Sequence, residues 1–112
     1  MKKSFFTVDK ENERAVLKLN VHKLDAQIAS HLKAEFVLLC RSPIKDLVID
    51  MSLVESCDSS GLSALLVAER QMRQLKGNTH LVVPNDQVRN LFSITRLDKV
   101  FFIHSSFDNI KK

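Results

Sequence analysis

The stretch from Leu47 to Leu75 constrains this chain most, because its hydrophobic period changes at a definite point. Leu47-Val48-Ile49-Asp50-Met51 is an apolar run of strand length and reads as a buried strand. Beyond Cys57-Asp58-Ser59-Ser60-Gly61, the residues Leu62, Leu65, Ala68, Met72 and Leu75 recur on one helical stripe. Glu69, Arg70, Arg73 and Lys76 lie off it. Asp and Ser immediately before such a stripe are capping residues, whose oxygens accept from the first unpaired N–H groups of a helix. The pattern predicts strand, polar turn and helix, with hydroxyls and free donors presented where the turn becomes the helix.

The remaining chain fits around that unit. Phe5 and Thr7, then Ala15, Leu17 and Leu19, alternate as two strands joined by a polar turn around Asp9-Lys10-Glu11-Asn12. Asp25 is the expected N-cap of a helix carrying Ile28, Ala29, Leu32, Phe36 and Leu39, which Arg41-Ser42-Pro43 ends. Gly77-Asn78 is expected to close the central helix through a residue at positive φ. His80 to Val83 reads as a strand, and Pro84-Asn85-Asp86 opens a helix with Val88, Leu91 and Phe92. Val100 to Ile103 reads as a final strand, and Ser105 to Lys112 as a short helical tail. The order ββαβαβαβ(α) predicts an α/β fold: one domain over residues 1–112, with a mixed sheet of about five strands and one layer of helices packed on it.

Asp58-Ser59-Ser60-Gly61-Leu62, a few residues after Ile49-Asp50-Met51, resembles the signature of STAS domains, and in particular of bacterial anti-sigma factor antagonists. Leu24-Asp25-Ala26 resembles the opening of that family's first helix, and Pro84 with Val88, Leu91 and Phe92 its third helical unit. Leu97-Asp98-Lys99-Val100-Phe101 resembles its last strand, so the likeness covers nearly the whole chain. The resemblance implies that Ser59 is the residue a partner kinase phosphorylates. It also implies a partner-binding surface formed by Leu24, Asp25, Asp58, Ser59, Ser60, Gly61, Leu62 and, more weakly, Asn85. Three positions depart from the family pattern. His22 and Arg96 stand where Gly is usual, and Glu55-Ser56-Cys57 is more polar than the usual approach to the Asp. His tolerates positive φ better than most residues, so the turn at His22 is expected to survive.

Charge narrows the partners. The net charge of +4 is scattered, and its longest runs, Lys2-Lys3 and Lys111-Lys112, sit at the chain ends. Without Trp or Tyr to stack on bases, or a basic run to follow phosphates, nucleic-acid binding is not expected. No apolar stretch reaches the roughly 18–20 residues that span a bilayer, and the N-terminus lacks a signal-type apolar core. The protein is expected to be cytoplasmic, with no direct membrane insertion, and with no heptad or apolar surface stripe a monomer is expected. Cys40 and Cys57 form no C-x-x-C pair, and in apolar surroundings both are expected to be buried thiols. No metal site and no cofactor are expected.

Enzymatic chemistry finds little support. Gly61-Leu62-Ser63-Ala64-Leu65 begins like a nucleophile elbow but lacks its closing Gly. Nothing in the spacing of His22, His31, His80 or His104 makes one of them a base for Ser59 or Ser60. Capping alone would explain Asp58 and the serines, but it does not require Gly61, which costs up to about 1 kcal/mol relative to Ala inside a helix. Close approach of another molecule is one reason to keep a Gly there. The resemblance therefore implies a non-enzymatic switch. Unphosphorylated, the protein would bind an ATP-dependent serine kinase that doubles as an anti-sigma factor. Phosphorylation of Ser59 would end that binding, and a PP2C-type phosphatase would restore it. The alternative is a STAS subunit of a lipid-transport ABC complex that docks on its ATPase without phosphorylation.

Overall fold

The computed structural model describes residues 5–110. The basic pairs Lys2-Lys3 and Lys111-Lys112 lie outside them. Within this range, β1 (Phe6–Glu11) and β2 (Arg14–Leu19) form an antiparallel hairpin. Its turn is Asn12-Glu13, later and tighter than the Asp9-to-Asn12 turn expected, because Asn12 takes the left-handed conformation (φ 58°) that a short hairpin needs. β4 (Asp46–Asp50), β6 (Asn78–Val82) and β7 (Phe102–His104) add in parallel, giving the order β1-β2-β4-β6-β7. Two further strands of two residues each, β3 (Lys23–Leu24) and β5 (Ser56–Cys57), pair with one another in parallel apart from the main sheet. The result is the mixed α/β fold expected from the order of elements, with a small second ladder added.

The two faces of the sheet are unequal. Period-2 alternation turns Ala15, Leu17, Leu19, Leu47, Ile49 and Leu81 into the main apolar cluster. There they meet the stripes of α1 (Ala26–Leu39), α2 (Ser59–Gln74) and α3 (Asp86–Ile94). Ile28, Leu32 and Phe36 of α1 and Leu65, Ala68 and Met72 of α2 are almost wholly buried, and the two helices pack along each other. Val16, Val48 and Val82 face the other way. Ile110, following the 3-10 turn Phe107–Asn109, packs on them.

Element ends show the local chemistry. α2 closes in a Schellman arrangement, Gly77 N–H donating to Met72 O (2.8 Å) and Lys76 N–H to Arg73 O (3.0 Å). The residue at positive φ is Lys76 (59°), not Gly77. Gly77 answers a different need: a Cβ on it would lie 2.6 Å from the Lys45 carbonyl oxygen. Arg96 also adopts positive φ (63°), at a position where the family resemblance places Gly. His22 does not, so the turn before Leu24 needs no left-handed residue. The last strand begins later than expected. Leu97–Lys99 is a 3-10 turn, and only Phe102–His104 joins β6. Of the two free thiols Cys40 is buried, but Cys57 is only half-buried.

Candidate functional site

The short β3–β5 ladder brings two segments far apart in sequence to one place. Glu55 N–H donates to His22 O (2.7 Å), and Asp58 N–H donates to Leu24 O (3.2 Å). Each strand leads directly into a helix, so the starts of α1 and α2 lie side by side. Asp25 caps α1, its Oδ1 accepting from Ile28 N–H at 3.3 Å. Asp58 caps α2, its Oδ1 accepting from Gly61 N–H at 3.0 Å, while its carbonyl takes the Leu62 N–H. Asn85 caps α3 through Val88 N–H at 3.0 Å, and α3 also packs against β5. Short-range chemistry is sufficient to explain all three, since Asp and Asn satisfy first-turn donors that lack intrahelical acceptors.

The motif residues divide sharply by exposure. Asp58 and Ser59 are exposed, and Ser60, Leu62, Asp25 and Asn85 are half-buried. Leu24 is 1% exposed and Gly61 is buried, so neither presents a side chain to a visitor. Their partnership is internal. A Cβ on Gly61 would stand 2.6 Å from Leu24 O, 2.8 Å from Leu24 Cγ and 2.9 Å from Cys57 Sγ. The close approach that Gly61 permits is thus that of β3 onto the first turn of α2, rather than that of another molecule. Leu24 supports the surface from beneath.

Between the two caps lies an open groove of about 260 Å³ lined by Lys23, Leu24, Asp25, Ser56, Cys57 and Asp58. Burial and then the Asp58 carboxylate push the Cys57 thiol up to about 12, so it stays protonated and poorly nucleophilic near neutral pH. A larger cavity of about 350 Å³ sits at the hairpin turn, lined by Glu11, Asn12, Glu13, Arg14, Lys45 and Asp46, and shares no residue with the motif. Ser59 occupies the first position of α2, where its own N–H and that of Ser60 have no intrahelical acceptor.

The histidines are engaged elsewhere. His22 Nδ1 lies 3.1 Å from Leu53 O and 3.7 Å from a Glu55 carboxylate oxygen, and the His31 ring lies against Phe5. His80 and His104 lie on the sheet face opposite the helices. Lys23, Ser56 and Cys57 line the groove without being among the surface residues that the resemblance implies. Two-residue strands leave no periodicity to read, and the pairing of β3 with β5 becomes visible only in three dimensions.

Comparison with known proteins follows the geometry. The sequence profile of the family described as "Mlab, STAS domain" matches residues 6–104. A search among curated proteins finds no match. Among solved structures, a STAS domain protein from Planctomyces limnophilus is 17% identical over 93% of this chain and 92% of its own, with a TM-score of 0.81. An anti-sigma factor antagonist from Mycobacterium paratuberculosis is 24% identical over 93% and 87%, with a TM-score of 0.76. The phosphorylated form of the Bacillus cell fate determinant SpoIIAA is 19% identical over 93% and 95%, with a TM-score of 0.71. At these identities the likeness is one of fold.

Proposed function

The chain belongs to the STAS domain family, and on that premise we propose that it is a non-enzymatic, single-domain docking module whose binding surface is the start of α2. Its partner is a serine kinase that doubles as an anti-sigma factor, and phosphorylation of Ser59 ends the complex. The observation that carries this reading is the exposed Ser59 at the first position of a helix whose base is fixed by the Gly61–Leu24 contact, beside an open groove. Such a hydroxyl is accessible to a kinase and held in one place.

A phosphate there adds about −1.5 to −2 charges. The free N–H groups and the helix dipole favour an anion at that end, so the helix persists and the change is felt by the partner. Weakening a complex about 100-fold takes only about 2.8 kcal/mol. A dianion left desolvated and unpaired beside Asp58 costs that readily. A PP2C-type phosphatase would reset the surface, and ATP belongs to the kinase. Asp25, Asp58, Ser60, Leu62 and Asn85 would form the rim around Ser59.

Incubation with the kinase and ATP, followed by mass mapping, tests the assignment. Phosphate on Ser59 is expected; phosphate on Ser60 or Ser63 alone would overturn it. A second reading of the same surface, which the STAS resemblance also implies, is constitutive docking on the ATPase of a lipid-transport ABC complex. Affinity purification of wild type and Ser59→Ala separates the two. An ABC ATPase recovered equally with both would establish the second reading, and a serine kinase the first.

A further inference from the structure

The two edges of the main sheet are unequally protected. β1 closes one side and β7 the other, and among the described residues no strand lies beyond either. An open edge is a template for a further strand, and proteins blunt it with charged side chains, proline or bulges. β1 carries that protection, since Asp9, Lys10 and Glu11 are exposed along it. β7 does not: Phe102-Ile103-His104 holds no Lys, Arg, Asp, Glu or Pro. Its surroundings are apolar instead. Phe102 is 55% exposed, and Val100 and Phe107, on either side of the strand, are exposed as well.

The register of β7 fixes what this edge offers. Val83 N–H donates to His104 O, so the backbone groups of His104 face β6. Direction alternates along a strand, so those of Phe102 also face β6, while Ile103 N–H and C=O point out of the sheet edge. The Phe102 and His104 side chains lie on the open face of the sheet, where both rings stack with His80. Ile103 lies on the helix side, against the main apolar cluster.

A strand with one outward donor and one outward acceptor at its centre is complementary to itself. Two copies set antiparallel about Ile103 would exchange two hydrogen bonds, each Ile103 N–H donating to the Ile103 carbonyl of the other copy. The same two-fold axis puts Phe102 of each copy opposite His104 of the other, in the pairs where side chains approach most closely. That contact repeats one the chain already makes across neighbouring strands, since His80 stacks with Phe102 at 5.2 Å between centroids. On the helix side Ile103 meets Ile103. Every group finds its match in the same three residues.

We propose that β7 is a homodimerisation edge, through which two copies of this chain join their sheets by antiparallel pairing centred on Ile103. The contact is isologous and closes after two copies, so no filament grows from it. So short a pairing belongs with the small interfaces, below about 1,200 Å² in total, and the dimer is weak and concentration-dependent. None of the residues proposed to dock at α2 lies in β7 or in the turns flanking it, so the dimer presents two docking surfaces. Three residues are too few to show a period, which is why residue patterning alone suggests a monomer.

Sedimentation equilibrium of the full chain, run from about 1 μM to about 1 mM to cover weak association, tests the edge. Wild type is expected to move from the mass of one chain toward that of two. Phe102→Lys, which charges the edge at a side chain already exposed, should weaken association about tenfold or more. Thr7→Lys on β1 and Ser59→Asp on α2 should both associate as wild type, so failure here and failure of docking at α2 are read separately. Amide exchange followed by NMR needs no variant: Ile103 N–H should exchange severalfold more slowly as concentration rises, and the β1 amides should not change. A wild type that stays a single chain throughout, Phe102→Lys associating as wild type, Thr7→Lys weakened as much as Phe102→Lys, or Ile103 exchange independent of concentration would each overturn the proposal.

Discussion

The carbonyl oxygen of Leu24 lies 2.6 Å from the point where a Cβ on Gly61 would stand. That contact ties the two halves of the candidate surface together, because the atom in the way is backbone, fixed in turn by the Asp58 N–H. Gly61→Ala must push β3 and α2 apart. Overpacking of this kind costs about 1–3 kcal/mol, and the better helix propensity of Ala returns up to about 1 kcal/mol. A net loss on the order of 1–2 kcal/mol is expected in urea denaturation. An unchanged midpoint would mean that the two segments are not coupled through this contact.

Asp58 has one structural duty that can be separated from its charge. Its Oδ1 accepts the Gly61 N–H, which Asn can also do. Asp58→Ala should therefore cost about 0.5–2 kcal/mol, whereas Asp58→Asn should cost little. Comparing the two variants by chemical denaturation checks the cap, and equal losses would show that the charge rather than the hydrogen bond matters.

Lys76 sits at φ 59° in the Schellman turn that closes α2, a position where Gly carries no Cβ penalty. Lys76→Gly is expected to raise stability by about 1 kcal/mol, the lower end of what a non-Gly residue forfeits in the left-handed region. Thermal unfolding at fixed pH measures it. A lower melting temperature would show that the Lys76 side chain stabilises the turn by more than its backbone costs.

Much of this fold could be read from residue types. The stripes of α1 and α2, the alternation in β2 and the identities of the caps Asp25, Asp58 and Asn85 follow from local rules that depend on neighbours three or four residues away. What escaped depends on contacts distant in sequence. Gly61 looks like an allowance for a visitor until Leu24 is seen against it, 37 positions earlier in the chain by their residue numbers. Lys76 rather than Gly77 takes positive φ, and Gly77 instead clears the Lys45 carbonyl, a contact that no local pattern signals. The His80–His104 contact likewise arises from the register of β6 with β7.

Cys57 makes stability depend on alkaline pH. Its thiol is pushed up from an ordinary 9.0 to about 12, first by burial and then by Asp58. Above about pH 9 the unfolded chain releases this proton while the folded chain keeps it, so the unfolded state binds fewer protons and folding stability falls as pH rises toward 12. Below pH 9 both states are protonated and the effect is absent. Cys57→Ala should flatten the decline between pH 9 and 11 relative to wild type, measured by urea denaturation at each pH. Identical slopes would place the thiol in a more hydrated setting than its half-buried position indicates.

Ser59 allows stability and docking to be pulled apart. Asp at the first position of α2 puts a negative charge next to unpaired N–H groups and the positive end of the helix dipole, an arrangement worth about 0.3–1 kcal/mol. Ser59→Asp should therefore melt no lower than wild type, and slightly higher at low salt. If the α2 terminus is the docking surface, the same variant should bind its partner far more weakly, while Ser59→Ala keeps both stability and binding. Calorimetry of melting and of partner binding on the three proteins checks both halves. A Ser59→Asp chain that melts earlier would put the lost binding down to damage to the helix, and one that binds as wild type would remove charge as the switch.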